Sequence, residues 1–270
     1  MKRKSACLLL AVLLAVSFLL WKLFAGAAAT NPTILPPPPT DIAPAVNFTD
    51  TRLLKLVNRA HAMHGEPAQL VPAFPTVPVR ESSIALHPAA LEALQAMFAQ
   101  AKTEGIQGLY LSSGYRDFET QQRLFQEMQD QSHVMPPGHS EHHSGLAADI
   151  LVLEVEMARM GRSKQGRWLA ENAWRWGFIL RYPEGKQNIT GIAYEPWHFR
   201  YIGLPHAWYC HTHTLVLEEY IQFLRESGGY RVTLEGKAYT VLYSAAKDGI
   251  LSGYSVSSDN TGGYIMTGWG

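Results

Sequence analysis

The strongest constraint on this fold is a set of polar residues that make chemical sense only if two distant stretches meet. From Ser140 the chain reads Ser-Glu-His-His-Ser-Gly-Leu-Ala-Ala-Asp, and farther on Glu195-Pro196-Trp197-His198. Imidazole and carboxylate are good zinc ligands, and a set of three protein ligands leaves the fourth position open, unlike a closed structural site. His142, Asp149 and His198 fit such a set, with Glu195 as the proton-transfer group. An ion held this way makes water a nucleophile near neutral pH, and Glu195 would take its proton and later pass it to a leaving amine. In an extended Glu-x-x-His segment, residues three apart face opposite sides. The strand must therefore end, bulge or twist there, and Pro196, which cannot donate to a ladder, suits that break.

A lone histidine among the eleven in this chain is more often a surface or hydrogen-bonded residue than a ligand. The joint pattern is far more specific. Ser-x-His-x-x-Gly-x-Ala-x-Asp followed by Glu-x-Trp-His resembles the signature of the zinc D,D-peptidases, which include VanY-type D-alanyl-D-alanine carboxypeptidases and VanX-type dipeptidases. The resemblance runs from about Thr51 to about Arg225 and is nearer the VanY type. It implies a zinc-dependent carboxypeptidase removing the terminal D-alanine of peptidoglycan stem peptides. L,D-carboxypeptidases, dipeptidases and endolysins share the pattern, and a zinc L,D-carboxypeptidase or a peptidoglycan endopeptidase is the alternative.

The resemblance also assigns roles. Arg116, in Ser113-Gly114-Tyr115-Arg116, stands where the family steadies the oxyanion, and a fixed cation is what such a reaction needs where negative charge develops. Gln121 and Ser140 occupy positions that hold the substrate, Ser140 through its terminal carboxylate, and Trp197 is counted with them. The bland reading of Arg116 is a surface ion pair with Asp117 or Glu119. His139 and His143 are expected to be partners of the ligands or solvated residues.

With 270 residues, 47% hydrophobic and 17% charged, the chain suits one compact domain plus appendages. Its formal net charge is zero, so no basic surface argues for nucleic acid. The two cysteines build no disulfide framework, since Cys7 lies in an apolar leader. Cys210, beside His211 and His213 in an expected loop, is read as incidental. The oligomeric state is left open.

Lys2, Arg3 and Lys4 precede an apolar run to Trp21, extended past Lys22 to Ala29. Residues 1–29 are expected to be an export signal or a membrane anchor that keeps the N-terminus in the cytoplasm and the rest outside. The proline-rich residues 30–47 read as an extended stalk.

Residues 48–228 are expected to form the α+β metallopeptidase domain, with a small mixed or antiparallel central sheet and flanking helices. Pro88 opens a helix whose face is Leu91, Leu94, Met97, Phe98 and Ala101. Leu109 to Ser112 alternate as a strand, and Asp117 begins a helix with Phe118, Leu124, Phe125 and Met128 on one side. The apolar run Gly145–Leu153 reads as a buried central strand carrying Asp149. Residues 229–270 change character into a short β appendage.

That appendage contains a rival. Ser244-Ala245-Ala246-Lys247 and Ser258-Asp259-Asn260 match two elements of the penicillin-binding serine enzymes. They lie nearly adjacent, with no Lys-Thr-Gly following, in too little chain to enclose such a site. A third class, a non-catalytic cell-wall-binding module, is expected to lack Glu195 or a ligand, and this chain has them all.

Overall fold

The computed structural model describes residues 31–34, 49–65, 67, 69–128 and 134–270. The expected leader and most of the expected stalk lie outside the described residues. Among the described residues, no helix is long and apolar enough to cross a membrane.

Eleven strands are described: β1 Thr33–Ile34, β2 Val71–Pro72, β3 Ala85–Leu86, β4 Leu109–Ser113, β5 Ala147–Val152, β6 Phe178–Leu180, β7 His198–Tyr201, β8 Gly229–Leu234, β9 Lys237–Ser244, β10 Ser255–Ser258 and β11 Tyr264–Trp269. The helices are α1 Pro88–Thr103, α2 Phe118–Glu127, α3 Lys164–Asn172, α4 Gln187–Thr190, α5 His206–His213 and α6 Leu217–Ser227.

The central sheet has four strands in the order β4-β5-β7-β6, and every pairing is antiparallel. Strand β5 is interior because its residues are apolar on both faces apart from Asp149, as a doubly covered strand requires. Helix α1 starts with Pro88 just after its cap, His87, whose ring accepts from the Ala89 amide. Its buried Leu91, Leu94, Met97 and Ala101 pack with Leu111, Ile150 and Phe199 of the sheet.

Helix α2 departs from the expected apolar face. Phe118 and Met128 are 53% and 42% exposed, and the buried residue of the helix is Gln121. The inward side of this helix lines a polar cavity, so a polar side chain occupies the place a leucine would hold against a core.

Cys210, His211 and His213 lie on α5, so the expected loop is a helix. Cys210 is buried, and desolvation pushes its thiol far above the ordinary range. His211 stacks on Trp174 and His213 on Tyr209. These rings pack against aromatic neighbours instead of converging.

The C-terminal strands form a second antiparallel sheet in the order β1-β8-β9-β11-β10. Strand β1 comes from the region read as stalk. Thr33 and Ile34 pair with Arg231 and Tyr230, because β-branched residues ahead of the prolines suit an open sheet edge. The sheet shares its core with helices α5 and α6: Tyr230, Val241 and Ile265 pack with Trp208, Tyr220 and Leu224.

Candidate active site

Sheet register assembles the site. Asp149 on β5 lies opposite His198 on β7 and opposite Ser113 on β4, where the β4–β5 register shifts. Three neighbouring strands thus deliver the start of Ser-Gly-Tyr-Arg, the aspartate and the second histidine to one place. Strand β7 begins at His198, and Glu195 to Trp197 form a turn closed by the His198 amide donating to the Glu195 carbonyl at 3.2 Å. That turn is the break required for both residues to face one point.

His142 arrives on a 3₁₀ turn, Glu141–Ser144, started at Ser140 and stopped by Gly145. Gly145 has φ +70°, and a Cβ there would stand 2.7 Å from Leu70. Both observations call for glycine. Gly114 is fixed by a close approach, since its Cβ would meet the Ala85 carbonyl at 2.5 Å. The two segments are laced together: His142 Nδ1 donates to the Gly114 carbonyl at 2.6 Å, and the Arg116 amide donates to the His142 carbonyl at 3.2 Å.

These contacts decide which atoms converge. With Nδ1–H of His142 engaged, Nε2 presents its lone pair to Asp149 Oδ2 at 3.2 Å. His198 Nδ1 lies 3.0 Å from Asp149 Oδ1 and 3.9 Å from Glu195 Oε2. One ligand atom from each of His142, Asp149 and His198 lies within 4.8 Å of the others. Atoms held about 2.0–2.1 Å from a tetrahedral zinc stand roughly 3.3 Å apart, so the donor set and its spacing fit a catalytic zinc.

Arg116 closes the opposite wall. Its guanidinium donates to Gln121 Oε1 at 2.9 Å and Ser113 Oγ at 3.2 Å. Burial lowers its pKa, while Asp149 and Glu195 favour its charged form. Gln121 also donates to the Met135 carbonyl at 2.6 Å, which ties α2 to the chain leading into Ser140. Ser140, Trp197, Arg116 and Gln121 line one cavity of about 120 Å³ together with His142, Asp149, Glu195 and His198. His139 lies outside it, its ring on the Asn58 carbonyl at 2.8 Å. His143 points its Nδ1 at the Arg116 carbonyl.

Electrostatics divide the two histidines. Burial keeps His142 below its ordinary value, which leaves it neutral as a ligand must be. Burial also opposes charge on His198, but the hydrogen bonds to Asp149 and Glu141 outweigh it and push His198 up to about 9. Burial would raise Asp149, yet the two histidines hold it far below the carboxylate range.

Sequence reasoning missed the floor of the site. Glu141, Arg181 and Arg200 have fully buried side chains. Glu141 Oε2 meets His198 Nε2 at 3.3 Å, while Oε1 accepts from Arg181 at 2.8 Å and Arg200 at 2.9 Å. The only signal was the position of Glu141 inside the motif. Arg181 and Arg200 merely flank apolar strand residues.

The family description "VanY: D-alanyl-D-alanine carboxypeptidase" matches residues 83–204, the stretch that contains every one of these cavity residues. A D-alanyl-D-alanine carboxypeptidase of Enterococcus faecium is 41% identical over 177 residues, 63% of this chain and 57% of that protein; this chain thus spans little more than half of that relative. The bifunctional D-Ala-D-Ala dipeptidase and D-Ala-D-Ala carboxypeptidase VanXYC of Enterococcus gallinarum is 34% identical, over 64% of this chain and 96% of that one. A solved mutant of the D,D-pentapeptidase VanY from a VanB-type resistance cassette, in complex with Zn(II), superposes with a TM-score of 0.52 at 32% identity, covering 62% of this chain and 98% of that one. With the fold, the cavity and the near-complete coverage of a relative in agreement, this chain belongs to the VanY family of D-alanyl-D-alanine carboxypeptidases.

Proposed function

We propose that this chain is a zinc-dependent D-alanyl-D-alanine carboxypeptidase that trims the terminal D-alanine from peptidoglycan stem peptides outside the cytoplasmic membrane. The observation that carries the reading is the convergence of His142 Nε2, an Asp149 oxygen and His198 Nδ1, with Glu195 beside the same His198 nitrogen. A zinc ion held by these three residues supplies Lewis acidity toward a carbonyl oxygen and makes water acidic enough to act as a nucleophile.

The chain's own residues do the rest. Glu195, buried in the cavity wall, receives the proton of the attacking water and returns it to the departing amine, so one carboxylate serves as base and then as acid. Arg116 faces the carbonyl as it gains charge, and its anchoring by Gln121 and Ser113 orients it beforehand. Ser140 offers a hydroxyl to the terminal carboxylate, and half-buried Trp197 forms an apolar wall for the D-alanyl methyl group. Water, substrate and Glu195 exchange one proton, the peptide bond is hydrolysed, and D-alanine leaves.

The extracytoplasmic setting and the tether rest on the basic and apolar leader and on where stem peptides occur. Mass spectrometry of defined muropeptides tests the reading. The expected product is a tetrapeptide formed from a pentapeptide by loss of one D-alanine, blocked by a chelator and restored by zinc. Cleavage confined to tetrapeptides would make the enzyme an L,D-carboxypeptidase, and cleavage of cross-links would make it an endopeptidase.

A further inference from the structure

Beneath the metal-ligand set lies a charge cluster to which the reaction as described gives no part. The side chains of Glu141, Arg181 and Arg200 have no exposed surface, and Glu218 is 13% exposed. Arg181 grips Glu218 through two bonds of 2.8 and 2.7 Å and Glu141 through Nε. Arg200 adds its bond to the same Glu141 oxygen, and its other nitrogen holds the carbonyls of Leu53 and Lys55. Two arginines therefore fix Glu141 Oε1, and Oε2 is aimed at His198 Nε2.

A ring held on one nitrogen is held in tautomer and in rotation. When Nε2 carries the proton and donates to a carboxylate, Nδ1 has the free lone pair. Nδ1 is the atom that faces Asp149 and Glu195. A carboxylate behind a metal-bound histidine also raises the basicity of the ligand.

From this geometry we infer that Glu141 is the positioning residue of the metal site: clamped by Arg181 and Arg200, it locks the His198 ring with Nδ1 toward the ligand cluster. The inference rests on the metal reading above, and its test separates the two. In Glu141→Gln the two arginines claim the single amide oxygen. The amide NH₂ is then turned toward His198 Nε2, donor against donor, and the ring is driven to the tautomer whose Nδ1 is blocked by hydrogen. Glu218→Gln weakens the same arginine cluster from its far side without touching His198.

Zinc dissociation constants for the whole protein, measured by competition with a chromophoric chelator, are expected to weaken about 10- to 100-fold in Glu141→Gln and to stay near the unaltered protein's in Glu218→Gln. Urea midpoints should fall for both variants, which marks the structural part of the cluster's role. Equal loss of zinc affinity in the two variants, or none in either, overturns the inference. If Glu141→Gln does not fold, nitrogen NMR of histidine side chains in the unaltered, zinc-loaded protein decides. A His198 that keeps its Nε2 proton and binds through Nδ1 supports the assignment, and one bound through Nε2 overturns it. An unaltered protein that takes up no zinc at His142, Asp149 and His198 overturns the metal reading and, with it, the role of Glu141.

Discussion

Around Asp149 the donor atoms of three side chains face one another across a cavity, whereas in the C-terminal sheet the polar atoms of an equally suggestive motif face the protein's own chain. Ser258 bonds Asp50 through both its amide and its hydroxyl. Asp259 collects the amides of Thr261 and Gly263 and the Tyr243 hydroxyl. Asn260 donates to the carbonyls of Leu56 and Ala62. Ser244 closes its own turn on Ala246, with Lys247 exposed beyond it. Both stretches match motifs of enzymes that act on D-alanyl-D-alanine. What separates them is where the polar atoms point: in one region they converge on a cavity, and in the other Ser258 and Asn260 donate to residues 50–62 while Asp259 and Ser244 close their own turns.

The largest expected effect comes from breaking the convergent side of this comparison. Asp149→Ala should lose zinc and activity together, because two ligands do not retain the ion. Glu195→Ala should lose about 10²- to 10⁴-fold in kcat while keeping its zinc, as metal analysis of the purified variant would show. Loss of zinc in Glu195→Ala would place that residue among the ligands.

Arg116→Ala comes next. Removing an oxyanion partner costs about 2.7–4 kcal/mol, roughly two to three powers of ten, with kcat and kcat/KM falling together. Lysine keeps the charge but loses the planar fork that reaches both Gln121 and Ser113, so Arg116→Lys should recover only part. The contact of Gln121 with Arg116 adds a kcat component to its expected role as a substrate anchor. Gln121→Ala should lower kcat by the worth of one charge-assisted hydrogen bond, roughly 1.5–3 kcal/mol. A pure KM effect would restrict Gln121 to the substrate.

How much of this was legible in the sequence follows from range. The candidate ligands and Glu195 are readable from motifs whose spacing is fixed by local structure: a 3₁₀ turn for His142, a strand for Asp149 and a Pro-containing turn for Glu195. Helix α1 announced itself by apolar periodicity and strand β5 by an almost continuous apolar run. Arg181 and Arg200 left no trace, because a buried arginine is spelled like an exposed one and its partner Glu141 lies 40 and 59 residues away. Helix α2 misled for a related reason: apolar spacing marks a face but not whether a cavity or a core lies opposite it. Helix α5 was hidden by polar residues that suggest a loop, though Cys210 is buried, His211 stacks on Trp174 and His213 stacks on Tyr209 of the same helix.

A pH experiment sharpens the electrostatic half of the comparison. In the metal-free protein, Asp149 and Glu141 hold His198 protonated up to about 9, against burial and above its ordinary 6.5. Zinc must displace that proton, so its apparent affinity should rise about tenfold per pH unit as pH approaches 9 and then level. A raised histidine stabilises the fold below about 6.5, and that stabilisation is lost as pH climbs through about 9. Urea unfolding of metal-free protein should therefore show falling stability across this window, and zinc-loaded protein should lack the trend.

The smallest effects belong to the stapled motif. Ser244→Ala should leave kcat unchanged and cost about 0.5–1.5 kcal/mol of stability. Asn260→Ala strips two backbone carbonyls of their partner and should cost about 1–3 kcal/mol, again without a change in metal content. Labelling of Ser244 by a fluorescent penicillin would transfer the chemistry to the C-terminal sheet.

The most direct test of the central claim is a titration of metal-free protein with zinc, following bound metal and hydrolysis of a D-alanyl-D-alanine pentapeptide in the same samples. The account predicts no turnover without metal and activity rising in proportion to zinc until one ion is bound per chain, with no uptake at that site in Asp149→Ala. Full turnover by the metal-free protein would contradict it.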